Sequence, residues 1–307
     1  MHKNSIPLVL AFTPNYFVPA CTCLVSILES SNFKGSFHII CLLTEELSDE
    51  MKNSLADLIG PSNTLSFLNL AGKIADDIYV DEKYTVAANY RLLLPDLLPE
   101  FDTIIYIDCD IIVRNDLAEL FYSVDLTGQY MAGVFEATLD FQRDHMLAIG
   151  CDPGKYINSG LLLMNLRELR QDNMSTKFLE ALRFPGLEFP DQDVINQLCA
   201  GKIVGLPPYW NSIRTFFIPA YKDNFLQFYS EEDWESVREK GNIHYTGPKP
   251  WNTFTVAFDV WWKYYNNLPN SIKKFSNYSF RIRLLATIYE TTSGKRLLEG
   301  IRKFIRR

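Results

Sequence analysis

Unbroken apolar runs alternate with helically spaced ones from the start of the chain. Ile6–Phe12 and Phe37–Leu43 have the length of buried strands, and each is followed by apolar positions at helical spacing, over about 17–30 and 46–59. A strand covered on both faces reads as such a run, whereas a half-solvated strand alternates with polar residues. The pattern therefore predicts a mostly parallel sheet with helices on its faces. A strand at about 64–70, a helix near 85–94 and a strand at 103–107 continue the alternation. Weaker strands follow at about 130–135, 160–164, 202–205 and 242–246, with helices near 173–183, 192–200 and 256–266, and the sheet is expected to be mixed there. The fold class is α/β. No internal repeat is visible, and the stretch Asn266–Asn270 is the nearest thing to a boundary, dividing a body over 1–268 from a tail over 269–307.

Composition sharpens this picture. At 307 residues, 47% hydrophobic and 22% charged, the chain has the make-up of a globular protein, which excludes disorder, collagen-like repeats and a disulfide scaffold. No apolar run approaches the ~20 residues that cross a bilayer. Met1–Ser5 leads straight into a strand-like run without a signal-peptide core, so a cytoplasmic location is expected. The six cysteines include no Cys-x-x-Cys pair and sit mostly in apolar stretches, which reads as buried free thiols. The net charge of −7 hides a division: the last 37 residues carry +8 and the first 270 carry −15. An acidic body argues against nucleic acid as a partner, while a basic end suggests an anionic surface.

The run Thr103–Ile107 ends in Asp108-Cys109-Asp110. Ligands of open α/β sheets bind beyond the carboxyl ends of the strands, so the position favours a site. Along an extended segment the first and third residues share a face, letting both carboxylates approach one hard cation. Two solvated aspartates at a strand-to-loop junction would look the same. Two chemistries compete for the pair. One is phosphoryl transfer of the haloacid-dehalogenase type, with one aspartate as nucleophile and the other as acid/base. That pattern has Thr or Val two positions after the second aspartate, where this chain has Ile112. The other is nucleotide-sugar transfer, with the pair holding a divalent metal on a diphosphate, and a catalytically idle nucleotide-sugar binder would carry the same pair.

Five further segments bear on the choice: Ala11–Tyr16, Tyr90-Arg91-Leu92, Asn158–Asn165, Asp191–Asn196 and His244–Trp251. As an ordered set over about residues 6–260, the chain resembles the family 8 retaining glycosyltransferases, among them bacterial lipopolysaccharide galactosyl- and glucosyltransferases and, more distantly, glycogenin. The resemblance implies a GT-A type, Rossmann-like mixed sheet with helices on both faces. It also implies a UDP-sugar donor, a glycan or glycolipid acceptor, and Mn²⁺ or Mg²⁺ held by Asp108, Asp110 and His244. Thr13, Asn15 and Tyr16 would hold uracil and ribose, and Cys109 would line the donor site. Arg91, Gly247 and Lys249 would meet the diphosphate, and Asn158, Asp191 and Gln192 the transferred sugar, with Gln192 at the anomeric carbon. Many relatives carry acidic residues where this chain has Thr13-Pro14, and proline lacks a backbone donor, so the base contact differs from the family pattern. The Pro-Asp-Gln-Asp run at 190–193 also reads as a helix start with acidic first-turn residues.

In the tail, Leu297, Leu298, Ile301, Phe304 and Ile305 form an apolar helical stripe among Lys295, Arg296, Arg302, Lys303, Arg306 and Arg307. A basic amphipathic helix of this kind lies flat on anionic lipid, which would hold the protein peripherally on the cytoplasmic membrane face. The alternative is a terminal helix docking its stripe on the body.

Overall fold

The computed structural model describes residues 5–73 and 86–291, together with Gly294 and Arg296. Ten strands form two sheets among the described residues. They are β1 (Ser5–Phe12), β2 (Ser36–Leu43), β3 (Thr64–Asn69), β4 (Thr103–Ile107), β5 (Ile111–Ile112), β6 (Met131–Gly133), β7 (Leu161–Asn165), β8 (Ile203–Gly205), β9 (Ser212–Ile213) and β10 (Ile243–His244). The main sheet runs β3-β2-β1-β4-β7-β6-β8, and a small one runs β5-β10-β9. Strands β3, β2, β1 and β4 are parallel, while β7 is antiparallel to both β4 and β6. The mixed α/β sheet expected from the sequence is therefore present.

Apart from their first serines and His38, the first two strands are apolar because both faces are covered. Leu8 and Leu10 belong to one core and Val9 to the other; Ile39 and Cys41 face one, Ile40 and Leu42 the other. Burying each such side chain contributes about 1.5–3 kcal/mol, so a charge on either face of β1 or β2 would be strongly destabilising. All six cysteines are buried.

Element boundaries follow local chemistry that periodicity alone does not show. The helix expected from 46 begins at Asp49, because Ser48 caps it by accepting from the Met51 N–H. The helix expected over 85–94 is broken into α (Val86–Asn89), 3₁₀ (Tyr90–Leu93) and α (Leu94–Leu97) turns. Pro95 has no N–H to continue a single helix and instead sits in the first turn of the last piece. The strand expected at 242–246 is only β10, and it pairs with β5 and β9 in the small sheet.

The fold continues past the Asn266–Asn270 stretch. Ile272 is buried, and in the helix Phe280–Glu290 the residues Ile282, Ala286 and Tyr289 join the same core as β1. The Tyr289 ring packs on Phe254 and Phe258. The outer face of that helix carries exposed Phe280, Leu284 and Ile288, one turn apart. The stripe from Leu297 to Ile305 lies outside the described residues. Among the described residues no helix is long and apolar enough to cross a membrane.

Candidate active site

In the main sheet β1 has β2 on one side and β4 on the other, so the chain leaves its carboxyl end in two directions and opens a crevice there. A cavity of about 570 Å³ occupies this place. Thr13, Tyr16, Arg91, Asp108, Cys109, Asp110, Asn158, Asp191, Gln192, His244, Gly247 and Lys249 all line it. Asn15 does not. It is the exposed middle residue of the 3₁₀ turn Pro14–Tyr16, which directs Tyr16 inward against Trp251 and Asn15 outward.

Backbone pairing brings the three expected metal ligands together. The Asp108 N–H donates to Gly160 O (2.7 Å) at the start of β7. His244 in β10 pairs with Ile111 in β5, and the Tyr245 N–H donates to Asp110 O (3.1 Å), which sets the imidazole beside both aspartates. Asp108, Asp110 and His244 each offer one ligand atom within 4.8 Å of the others. Their remaining atoms are committed elsewhere. Asp108 Oδ1 accepts from Arg91 (2.8 Å) and from the Tyr106 hydroxyl (3.0 Å), leaving Oδ2 toward His244. Asp110 Oδ2 is paired with Lys249, leaving Oδ1 3.3 Å from His244 Nε2.

The imidazole is fixed from behind. Asn211 donates its Nδ2 to Asn158 Oδ1 (2.9 Å) and so turns its own Oδ1 to His244 Nδ1 (3.0 Å). Asn211 Oδ1 can only accept, so Nδ1 carries a proton and Nε2 is the ring nitrogen aimed at the two carboxylate oxygens. Two carboxylates and one imidazole nitrogen form a donor set that fits a hard or borderline divalent cation. Gly160 makes the approach feasible: a Cβ there would stand 2.2 Å from His244 Cε1 and 3.0 Å from Asp108 Oδ2.

Charge is arranged around this cluster. Burial pushes the Asp110 carboxyl up, but Lys249 and His244 outweigh it and hold it well below the usual carboxylate range. Burial opposes the Arg91 charge, yet Asp108 and Asp191 raise its pKa further. That guanidinium lies over the Tyr106 ring and also donates to Ser159 O (2.5 Å). Gly247 has φ +82° with open space where a Cβ would be, so glycine serves the backbone turn that presents Lys249.

Beyond the cluster the wall is made of amides. Asp191 accepts from the Ser159 hydroxyl (2.9 Å) and pairs with Arg91 (3.1 Å). Burial pushes the Asp191 carboxyl up, with Arg91 pulling it back. Gln192 Oε1 accepts from the Ser159 N–H (3.0 Å) and Asn158 Nδ2 (3.1 Å), and its Nε2 donates to Glu136 (3.1 Å). Both residues stand in the first turn of the helix Pro190–Leu198, but neither caps it. Asp193, one residue further on, instead ties down the chain ahead of the helix, accepting from the N–H groups of Glu188 and Phe189. Glu136, Ser159, Gly160 and Asn211 were not expected as site residues. Ser159 and Gly160 lie inside the Asn158–Asn165 segment that carried the family resemblance, whereas Glu136 and Asn211 are single polar residues with no local signal.

A Rossmann-like mixed sheet with an Asp-x-Asp pair at its switch point defines the GT-A class of glycosyltransferases, and the solved structures that match have this fold. The galactosyltransferase LgtC, solved with donor and acceptor sugar analogs, superimposes with a TM-score of 0.72 at 20% identity, over 88% of this chain and 100% of that one. The bifunctional WbbM superimposes with a TM-score of 0.75 at 22% identity over 90% of this chain, which spans about half (52%) of WbbM. A lipopolysaccharide 1,2-glucosyltransferase of Escherichia coli is 29% identical over 269 residues, 83% of this chain and 76% of that protein. The glycosyl transferase family 8 model matches residues 7–255, and the chain belongs to that family. It is a glycosyltransferase.

Proposed function

We propose that this enzyme transfers a hexose, glucose or galactose, from a UDP-sugar to a glycan or glycolipid acceptor, with retention at the anomeric carbon. The observation that carries this reading is the convergence of Asp108, Asp110 and His244 in one cavity with Asp191 and Gln192. Asp108, Asp110 and His244 would hold Mn²⁺ or Mg²⁺, which when bound supplies positive charge to the diphosphate as the sugar–phosphate bond breaks. Lys249 adds a second charge from the wall of the cavity, and Arg91 keeps Asp108 and Asp191 in place. Tyr16 offers a ring face for uracil.

Breaking the bond leaves positive charge at the anomeric carbon. Gln192 Oε1 already accepts two hydrogen bonds, so it stabilises that charge as a dipole and is no nucleophile. Asp191 is tied to Arg91 and Ser159. This favours attack from the face the diphosphate leaves, with the departing phosphate accepting the proton of the acceptor hydroxyl. The likeness to a lipopolysaccharide 1,2-glucosyltransferase supports a lipopolysaccharide-type glycan as acceptor. The test is UDP release from a panel of UDP-sugars with Mn²⁺ or with chelator. Release that needs metal is expected, and its absence with every donor overturns the reading.

The acceptor would be met at an anionic membrane surface by the basic tail over 269–307. Exposed Phe280, Leu284 and Ile288 beside Arg281 and Arg283 support this. Removing residues 292–307, which spares the packed residues up to Tyr289, should weaken binding to anionic vesicles at low salt and leave UDP-sugar hydrolysis intact. Equal vesicle binding by both forms overturns the membrane role of residues 292–307, and failure of the full chain to bind such vesicles overturns that of the whole tail.

A further inference from the structure

Glu136 has no part in the contacts assigned above to metal, nucleotide or sugar. It is nevertheless a buried carboxylate, 6% exposed, on the wall of the cavity, and among the described residues no cation forms an ion pair with it. Its partners are amides. Glu136 Oε1 accepts from Asn158 Nδ2 (3.0 Å) and Gln192 Nε2 (3.1 Å), and Oε2 faces Gln142 Nε2 (3.5 Å). Its own N–H donates to Tyr156 O (2.8 Å), within the short ladder where Phe135 bridges Ile157.

A carboxylate can only accept, whereas an amide can turn either end to a neighbour. Glu136 therefore decides which end of each amide faces it, and the decision travels outward along two arms. In the first arm Gln192 gives its NH₂ to Glu136 and turns Oε1 to the Ser159 N–H. In the second arm Asn158 gives its NH₂ to Glu136, so its Oδ1 accepts from the Gly160 N–H (3.1 Å) and Asn211 Nδ2 (2.9 Å). Asn211 is thereby turned with its oxygen to His244 Nδ1 (3.0 Å), and the imidazole must carry its proton there. Reversing any one amide would set donor against donor or acceptor against acceptor.

We propose that Glu136 is a positioning residue that sets the polarity of the whole network, orienting the Gln192 amide at one end and, through Asn158 and Asn211, the ring of His244 at the other. Neither residue touches the other directly, and the shared carboxylate couples them. The Gln192 arm rests on the sugar-transfer reading above; the His244 arm does not.

The test uses the full chain and measures Mn²⁺ binding by calorimetry alongside UDP release. Glu136→Leu loosens the Asn158–Asn211 support behind His244 and should weaken Mn²⁺ affinity about tenfold or more. In UDP release, Glu136→Leu should lower kcat about tenfold or more with UDP affinity little changed, and its effect should shrink at least about threefold in a Gln192→Ala background. A purely structural role would move UDP affinity as well and would add to the Gln192→Ala loss. Should Glu136→Leu fail to fold, Glu136→Gln carries both measurements, because its extra NH₂ must oppose either Gln142 or the Asn158 and Gln192 donors. A Glu136→Gln protein with Mn²⁺ affinity and kcat each within about twofold of wild type overturns the proposal. If the wild type releases no UDP, the sugar-transfer reading fails while Mn²⁺ affinity still decides the role of Glu136.

Discussion

The two ends of the cavity are built from different materials. At the end under β1 and β4 the side chains are ionic: Asp108 and Asp110 with Arg91, Lys249 and His244. At the other end Asn158, Gln192 and Gln142 surround Glu136, with Asn211 behind, so the polar contacts there are made chiefly by amides. The difference matches what each end would meet. A diphosphate is charged before, during and after transfer, so fixed ions suit it throughout. A sugar carries charge only while its bond is breaking. A wall of oriented dipoles stabilises that moment without holding the ground state too firmly.

Removing a ligand from the ionic end should have the largest effect. Asp110→Asn, Asp108→Asn and His244→Ala are each expected to lower metal-dependent UDP release by about a thousandfold or more, with UDP binding in calorimetry losing its dependence on Mn²⁺. Variants that keep that dependence would break the comparison at its ionic end. Gln192→Ala is expected to cost about a hundredfold in kcat while UDP affinity holds, because UDP lacks the sugar. Parallel losses of rate and UDP affinity would mean that the amide wall is scaffolding.

Gly160 sits where the two ends meet, and Gly160→Ala pushes a methyl group toward His244 and Asp108. About a ten- to hundredfold loss of Mn²⁺ affinity is expected, measured in the presence of UDP, together with a fall in thermal stability from the forced overlap. Lys249→Met should act least, weakening UDP binding about tenfold in a salt-dependent manner and leaving the sugar end untouched. A kcat effect at saturating donor larger than that would extend the role of Lys249 into the chemical step.

Legibility in the sequence followed the length of the signal. The runs Ile6–Phe12 and Phe37–Leu43 were readable because burial on both faces leaves almost no polar position in them, His38 being the exception. Asp108 and Asp110 stood out because they close such a run. The strands β5 and β9, two residues each, are too short to show any period, and yet β5 is what sets His244 beside Asp110. Glu136 and Asn211 were invisible for a related reason. Their roles arise from partners far away in sequence, Gln192 for the one and His244 for the other. The family resemblance reached His244 and Gln192 as residues, but not the amides that orient them.

The small sheet β5-β10-β9 also says when the site can come into being. It ties together segments at 111–112, 212–213 and 243–244, so the imidazole reaches the aspartates only after nearly the whole body of the chain has been made and has closed on itself. During synthesis the crevice at β1 and β4 can form early from local βαβ contacts, but the cation cluster is among the last features to appear. A cation bound there would stabilise only the finished chain, by mass action. Copies that stop short of β10 would lack His244 together with Gly247 and Lys249, and so both the third member of the cluster and one wall of the cavity.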